Sequence, residues 1–169
     1  MTSNLSQFIK FLKEEISENQ ISSANTIDVI DPRDRLENKS EICVKPKNTQ
    51  EISKILKLAN KFTIPIIPIG GSTGLVGGQI ASQSNHVTLS LEKLDTINFF
   101  KESNLLYVQS GAILSNIKKL AFNNGRLFPL SLASEGSCQI GGNLATNAGG
   151  LNVIKYGNVR DLCLGLEAV

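Results

Sequence analysis

Two glycine-rich stretches constrain this chain more than any other feature. The first runs Ile67-Pro68-Ile69-Gly70-Gly71-Ser72-Thr73-Gly74-Leu75-Val76-Gly77-Gly78. The second runs Glu135-Gly136-Ser137-Cys138-Gln139-Ile140-Gly141-Gly142-Asn143-Leu144-Ala145-Thr146-Asn147-Ala148-Gly149-Gly150. Together they hold ten of the fourteen glycines. Glycine lets a backbone turn through positive φ and lets N–H groups approach a ligand with no Cβ in the way. A run of exposed N–H groups makes a concave anion site. Two such cradles, each after an apolar run, point to one large, doubly anionic ligand, and a dinucleotide meets that description. A Walker A loop is excluded because neither stretch contains its lysine, and the spacing Gly70-Gly71-Ser72-Thr73-Gly74 is not the Gly-x-Gly-x-x-Gly of a Rossmann turn.

The bulk numbers exclude several other classes. With 169 residues, 41% of them hydrophobic and 19% charged, the chain can build a core of ordinary density. A net charge of +2 gives no argument for nucleic acid or an anionic membrane, and no apolar run is long enough to span a bilayer. Charges at Lys10, Lys13, Glu14 and Glu15 break up the N-terminal apolar residues, so these residues are not expected to act as a secretory leader. Cys43, Cys138 and Cys163 are odd in number and scattered. They read as reduced thiols of a cytoplasmic or, in a eukaryote, mitochondrial matrix protein. His86 is the one histidine, so no histidine metal cluster and no Ser-His-Asp triad can form, and no metal ligand set is assigned.

Along the chain, Leu5, Phe8, Ile9, Leu12 and Ile16 recur at helical spacing and predict an amphipathic packing helix over 4–18. Residues 19–40 read as a connecting loop. Ile42-Cys43-Val44 is a strand stopped by Pro46. Asn48 with Glu51 forms a capping box that opens a helix with Ile52, Ile55, Leu56 and Ala59 inward. Phe62–Ile69 then reads as an apolar strand, completing a right-handed, parallel βαβ unit with the first glycine stretch at its carboxyl end. Val87–Leu91 and Leu105–Gln109 alternate as strands do. Ile113, Ile117, Leu120 and Ala121 mark a helix closed by Asn124-Gly125. The second glycine stretch follows Leu127-Phe128-Pro129, its small residues suited to let the backbone lie flat against a planar ring, and Leu162–Val169 reads as a strand.

Taken together the two stretches resemble, almost residue for residue, the flavin-binding domain of the p-cresol methylhydroxylase and vanillyl-alcohol oxidase superfamily. Gly70–Gly78, then Ser137–Asn143, Thr146–Gly150 and Lys155–Glu167, are similar to the FAD-linked D-2-hydroxyacid dehydrogenase branch, which acts on D-lactate or D-2-hydroxyglutarate. The resemblance runs from about Ile42 to Val169. It implies an α+β fold, a βαβ subdomain followed by the start of a mixed-sheet subdomain. The division is 1–40, helix and connecting loop, then 41–169, a flavin domain that is incomplete at its C-terminal side. An unfinished sheet predicts poor stability for the isolated chain.

The implied cofactor is FAD. In the first cradle the N–H groups of Gly70, Gly71, Ser72, Thr73 and Gly74 converge on a pyrophosphate, with hydroxyls from Ser72 and Thr73 and flanking contacts from Pro68 and Leu75. In the second, Glu135, Gly136, Ser137, Ile140, Gly141, Gly142, Asn143, Thr146, Asn147, Gly149 and Gly150 are carried over from the family as FAD contacts, followed by Tyr156 and Gly157. Covalent relatives place a histidine where Thr73 stands, so attachment is expected to be non-covalent, with Cys138 a buried small residue. Lys155 replaces an arginine of relatives, keeping the charge but losing bidentate geometry. Arg160 and Asp161 are a candidate ion pair. The family's reaction moves a hydride from C2 of a D-2-hydroxy acid to flavin N5. Its base and substrate-binding cations are expected beyond the residues present, so no catalytic residue is assigned. Alternatives are a stand-alone flavin-binding module working with a partner chain, or another enzyme of the fold such as UDP-N-acetylenolpyruvoylglucosamine reductase or alkylglycerone-phosphate synthase. The second motif fits both enzymes less well.

Overall fold

The computed structural model describes residues 3–23 and 29–169. The chain divides into two compact units, Met1–Lys93 with Val169, and Leu94–Ala168.

The first unit opens with helix α1, Ser3–Glu15, whose Leu5, Phe8 and Leu12 are buried together with Ile16 just beyond it. The sequence extends this helix to 18; instead a 3-10 turn over Glu18–Gln20 leads into strand β1, Ile21–Ser23. The expected loop over 19–40 therefore contains a strand. Its short, half-polar sequence gives no alternation to read, and it forms because it pairs antiparallel with β2, Ile42–Val44. Helix α2, Thr49–Phe62, follows. The Asn48 side chain caps it, accepting the Glu51 N–H at 2.8 Å. The reciprocal half of the capping box is not made. The Glu51 carboxylate accepts from the Lys47 N–H at 2.8 Å and from Gln20 Nε2 at 2.6 Å, which ties the 3-10 turn to the helix start.

Phe62 belongs to α2, not to a strand. It continues the stripe of Ile55, Leu58 and Ala59, its ring packs 5.5 Å from that of Phe11, and Thr63 ends the helix in the left-handed conformation. Strand β3 is thus only Ile66–Ile69. Strand β4, Val87–Ser90, lies between β2 and β3 and is parallel to both, in the order β1-β2-β4-β3. The two strands joined by α2 are parallel as expected, but β4 separates them. Val44, Val87 and Leu89 join the α1 and α2 residues in one core cluster.

The second unit holds a hairpin of β5, Ile97–Phe100, and β6, Leu105–Val108. Sequence reading missed β5. Helix α3, Leu114–Asn123, ends at Asn124-Gly125 as anticipated. The second glycine stretch is not all loop: helix α4, Ile140–Thr146, occupies its middle, because Ile140 and Leu144 lie on one face in the core of this unit. A short α5, Val153–Tyr156, and a 3-10 turn, Val159–Leu162, close it. No strand forms over Leu162–Val169. Leu164 and Leu166 are mostly exposed, and no described strand lies alongside to satisfy that backbone.

The three thiols are free: Cys43 and Cys138 are buried and Cys163 is half-buried. Burial pushes the Cys43 thiol up to about 11, partly offset by a Ser90 backbone hydrogen bond and by Lys45. Since the thiolate is the nucleophile, an alkylating reagent at pH 8 is expected to modify Cys163 rapidly and the other two only after unfolding. Cys163→Ser should abolish the rapid phase in a thiol count; two fast-reacting thiols in the native chain would contradict this.

Candidate functional site

The first glycine stretch leaves β3 at its carboxyl end and carries no regular structure through Gly78. Ser72 takes φ 52°, the left-handed region, which costs a serine about 1 kcal/mol or more. Its hydroxyl is buried and has no hydrogen-bond partner. From Gly71 to Val76, six successive backbone N–H groups donate to no described residue. The loop is held from outside. Gln79 Nε2 donates to the Gly74 carbonyl at 2.9 Å and the Ile30 carbonyl at 3.1 Å, and Arg35 Nη2 donates to the Leu75 carbonyl at 2.7 Å. Thr73 is half-buried and Pro68 exposed. Strain and an unspent donor set in one loop are features of ligand sites rather than of a plain turn.

Arg35 is itself placed by Asp31, whose buried carboxylate lies 3.4 Å from Arg35 Nε. Burial works against the Asp31 charge. The N–H groups of Arg33 and Arg35 and the Arg35 guanidinium outweigh it and hold the carboxyl below its ordinary value. These residues lie in the stretch that reads as connecting loop, so sequence reasoning passed over them.

In the second unit the predicted residues divide by what they already bond. The Ile140 N–H donates to the Ala112 carbonyl and the Gly141 N–H to the Ser110 carbonyl at 2.8 Å, so both anchor α4. The Gly142 N–H donates to no described residue. Thr146 Oγ1 donates back to the Gly142 carbonyl at 2.9 Å, and Asn147 Oδ1 accepts the Arg160 N–H at 3.3 Å. Asn143 is 6% exposed and its Oδ1 has no partner; neither does Gln139 Oε1, which the sequence did not single out. Gly150 holds φ 84°, and a Cβ there would run into the Ser131 carbonyl. The Glu135 carboxylate pairs with Lys118, while Gly136 and Ser137 are exposed. Gly149 packs beside the Asn158 side chain. Tyr156 is exposed under the Lys155 ammonium, and the Gly157 N–H donates to the Val153 carbonyl. The expected pairing of Arg160 with Asp161 is replaced by a helix cap. The guanidinium of Arg160 donates to the Leu144 and Ala145 carbonyls at 2.9 Å each, and Asp161 accepts the Asn158 N–H at 2.7 Å. Carbonyls in the last turn of a helix carry its negative dipole end and favour a cation, which explains the choice.

Each unit thus keeps buried polar atoms without partners inside the stretch that sequence analysis assigns to a flavin dinucleotide: a hydroxyl donor at Ser72, and carbonyl acceptors at Gln139 and Asn143. A phosphate oxygen suits the first, and ribityl hydroxyls or a ring N–H suit the others, so the residues present fit the group.

Residues 40–169 match the family described as FAD binding domain. The chain is 37% identical over 172 residues to the mitochondrial D-2-hydroxyglutarate dehydrogenase of Arabidopsis thaliana, covering 97% of this chain and 30% of that protein. It is 40% identical over 125 residues to the D-2-hydroxyglutarate dehydrogenase of Xanthomonas citri, covering 73% and 26%. The chain spans about a quarter of the length of the curated relatives it matches. Among solved structures it is similar to an alkyldihydroxyacetonephosphate synthase (TM-score 0.81, 23% identity, 92% of this chain and 32% of that one). It is also similar to a variant of Phl p 4, a glucose dehydrogenase (TM-score 0.79, 18% identity, 89% and 33%). At those identities the two structures speak to the fold alone. The family match, which spans both glycine stretches, and the identity to dehydrogenases together show that the chain belongs to the FAD-binding domain family of the p-cresol methylhydroxylase type, and that its cofactor is FAD.

Proposed function

We propose that this chain is the FAD-holding part of an oxidoreductase that oxidises a D-2-hydroxy acid to the 2-oxo acid, working in the cytoplasm or the mitochondrial matrix. The observation that carries the reading is the Gly71–Val76 loop, with six unspent N–H groups around the buried, unpartnered Ser72 hydroxyl. Ser72 and these N–H groups take the pyrophosphate; Gln139 and Asn143 take polar groups of the ribityl chain or the flavin ring. Thr73 cannot bond the flavin covalently, so the cofactor is held by these contacts alone. When bound, FAD supplies a hydride acceptor, and electron-withdrawing contacts to its ring sharpen that capacity. In this reading the base that takes the hydroxyl proton, and the cations that bind the substrate carboxylate, are not among these 169 residues.

The test is a titration of the purified chain with FAD, followed by desalting. Stoichiometric yellow protein is expected. Ser72→Ala should weaken FAD about tenfold, the typical loss for one hydrogen bond to a charged group. Added D-lactate or D-2-hydroxyglutarate should leave the bound flavin oxidised. A chain that takes up no FAD sinks the binding reading. Bleaching of the flavin by a D-2-hydroxy acid would mean that the base lies within these residues after all.

A further inference from the structure

We propose that segment 29–39 is a strap that sets the anion-binding shape of the first glycine loop, with Arg35 and Gln79 as positioning residues for the cofactor's pyrophosphate. The inference rests on the FAD reading above and concerns how that site is held, not what it binds.

The loop has no ladder of its own: Gly71 to Val76 donate no hydrogen bond to a described residue. Something else must fix it, or its six N–H groups would be aimed at random. The ties within Gly71–Val76 are both on carbonyls. In a trans peptide the C=O and the next residue's N–H point in opposite directions within one rigid plane. Holding the Gly74 carbonyl from one side therefore aims the Leu75 N–H to the other, and holding the Leu75 carbonyl does the same for the Val76 N–H. Gln79 and Arg35 hold those two carbonyls, at 2.9 and 2.7 Å.

Both holders are themselves fixed to the strap. The Gln79 amide, 9% exposed, uses its second hydrogen on the Ile30 carbonyl at 3.1 Å. Arg35 is anchored by the Asp31 carboxylate, whose oxygens also accept the Arg33 and Arg35 N–H groups at 3.2 and 3.1 Å. At the far end of the loop, the Lys39 N–H meets the Ala81 carbonyl at 2.9 Å and Asn38 Oδ1 accepts the Ala81 N–H at 3.0 Å. A loop held this way avoids the ordering cost on binding that a free glycine loop would incur. Arg35 also brings a positive charge to the outer rim, so its effect must be separated from plain attraction.

FAD affinity of the full chain, read by flavin fluorescence, separates them across four proteins: unsubstituted, Gln79→Leu, Arg35→Ala and Arg35→Lys. Gln79→Leu changes no charge and is expected to weaken FAD about tenfold, as is Arg35→Ala. Arg35→Lys should recover most of the loss, because an ammonium still reaches one of the two partners. Circular dichroism should show the native fold in all four. Unchanged affinity in Gln79→Leu overturns the positioning role and leaves Arg35 a distant charge. Loss of the native fold in both Gln79→Leu and Arg35→Ala overturns it too, making the strap structural only. If the unsubstituted chain binds no FAD, the underlying reading falls with it, and that result is recognisable because no titration saturates.

Discussion

Gly141→Ala is expected to cost about 2–3 kcal/mol of stability, whereas Gly142→Ala, one residue along the same helix, should leave stability unchanged or raise it and weaken FAD binding instead. The two glycines are indistinguishable in sequence, and the structure separates them. A Cβ on Gly141 would lie 2.7 Å from the Ser110 Cβ and 2.9 Å from the Ser110 carbonyl oxygen, and the Gly141 N–H already donates to that same carbonyl. Neither obstacle is the flexible tip of a side chain, so the start of α4 would have to move off Ser110. Nothing lies within 4 Å of a Cβ on Gly142. Alanine is a better helix former than glycine by up to about 1 kcal/mol, so on folding grounds alone alanine is the better residue there. A cofactor lying against that turn, as proposed, would account both for the absence of alanine and for the Gly142 N–H that donates to no described residue. Chemical unfolding and FAD titration of the two variants give the comparison. Equal destabilisation by both would mean that the glycine pair serves packing only. A stable Gly142→Ala chain with unaltered FAD affinity would remove Gly142 from the cofactor surface.

How much of this was legible beforehand follows from where periodicity is strong. The β2–α2 segment and α3 could be read because their apolar residues recur over several turns and their ends carry Asn48 and Asn124-Gly125. Phe62 was misread because an apolar run of eight residues looks like a strand, yet its place three, four and seven residues after Ala59, Leu58 and Ile55 kept it in the helix. β1 has three residues and one apolar side chain, and only its partner β2 makes it a strand. In α4 the glycines masked a helix that Ile140 and Leu144 drive from the core side. Both glycine-rich stretches stand out in the sequence by their glycines. Their supports were not: Arg35 holds a carbonyl 40 positions along the chain and Gln79 is anchored on one 49 positions back, and no spacing rule records such contacts. The Arg160 cap of α4 was hidden for the same reason, while its neighbour Asp161 suggested a simpler pairing.

Phe8→Ala is expected to cost about 3–5 kcal/mol, the loss typical of a large core side chain, although Phe8 lies outside residues 40–169 that match the family. Its side chain is fully buried, in the same cluster as Ile55 and Ala59 of α2 and Val44 and Val87 of the sheet. Phe11, three residues on, is the control. It is 36% exposed, stacks on Phe62 and lies under the Lys61 ammonium at the surface, so Phe11→Ala should cost about 1 kcal/mol. A small domain has only about 5–15 kcal/mol in total. The Phe8 variant should therefore sit close to its unfolding transition at room temperature. The strand that delivers the Ser72 loop unfolds with that core, so saturating FAD should raise the variant's denaturant midpoint by the amount that mass action gives for its affinity. Equal, small costs for Phe8→Ala and Phe11→Ala would make α1 an appended helix. The expected difference would instead place the physical start of the cofactor-binding unit at α1, ahead of the point where the family resemblance begins.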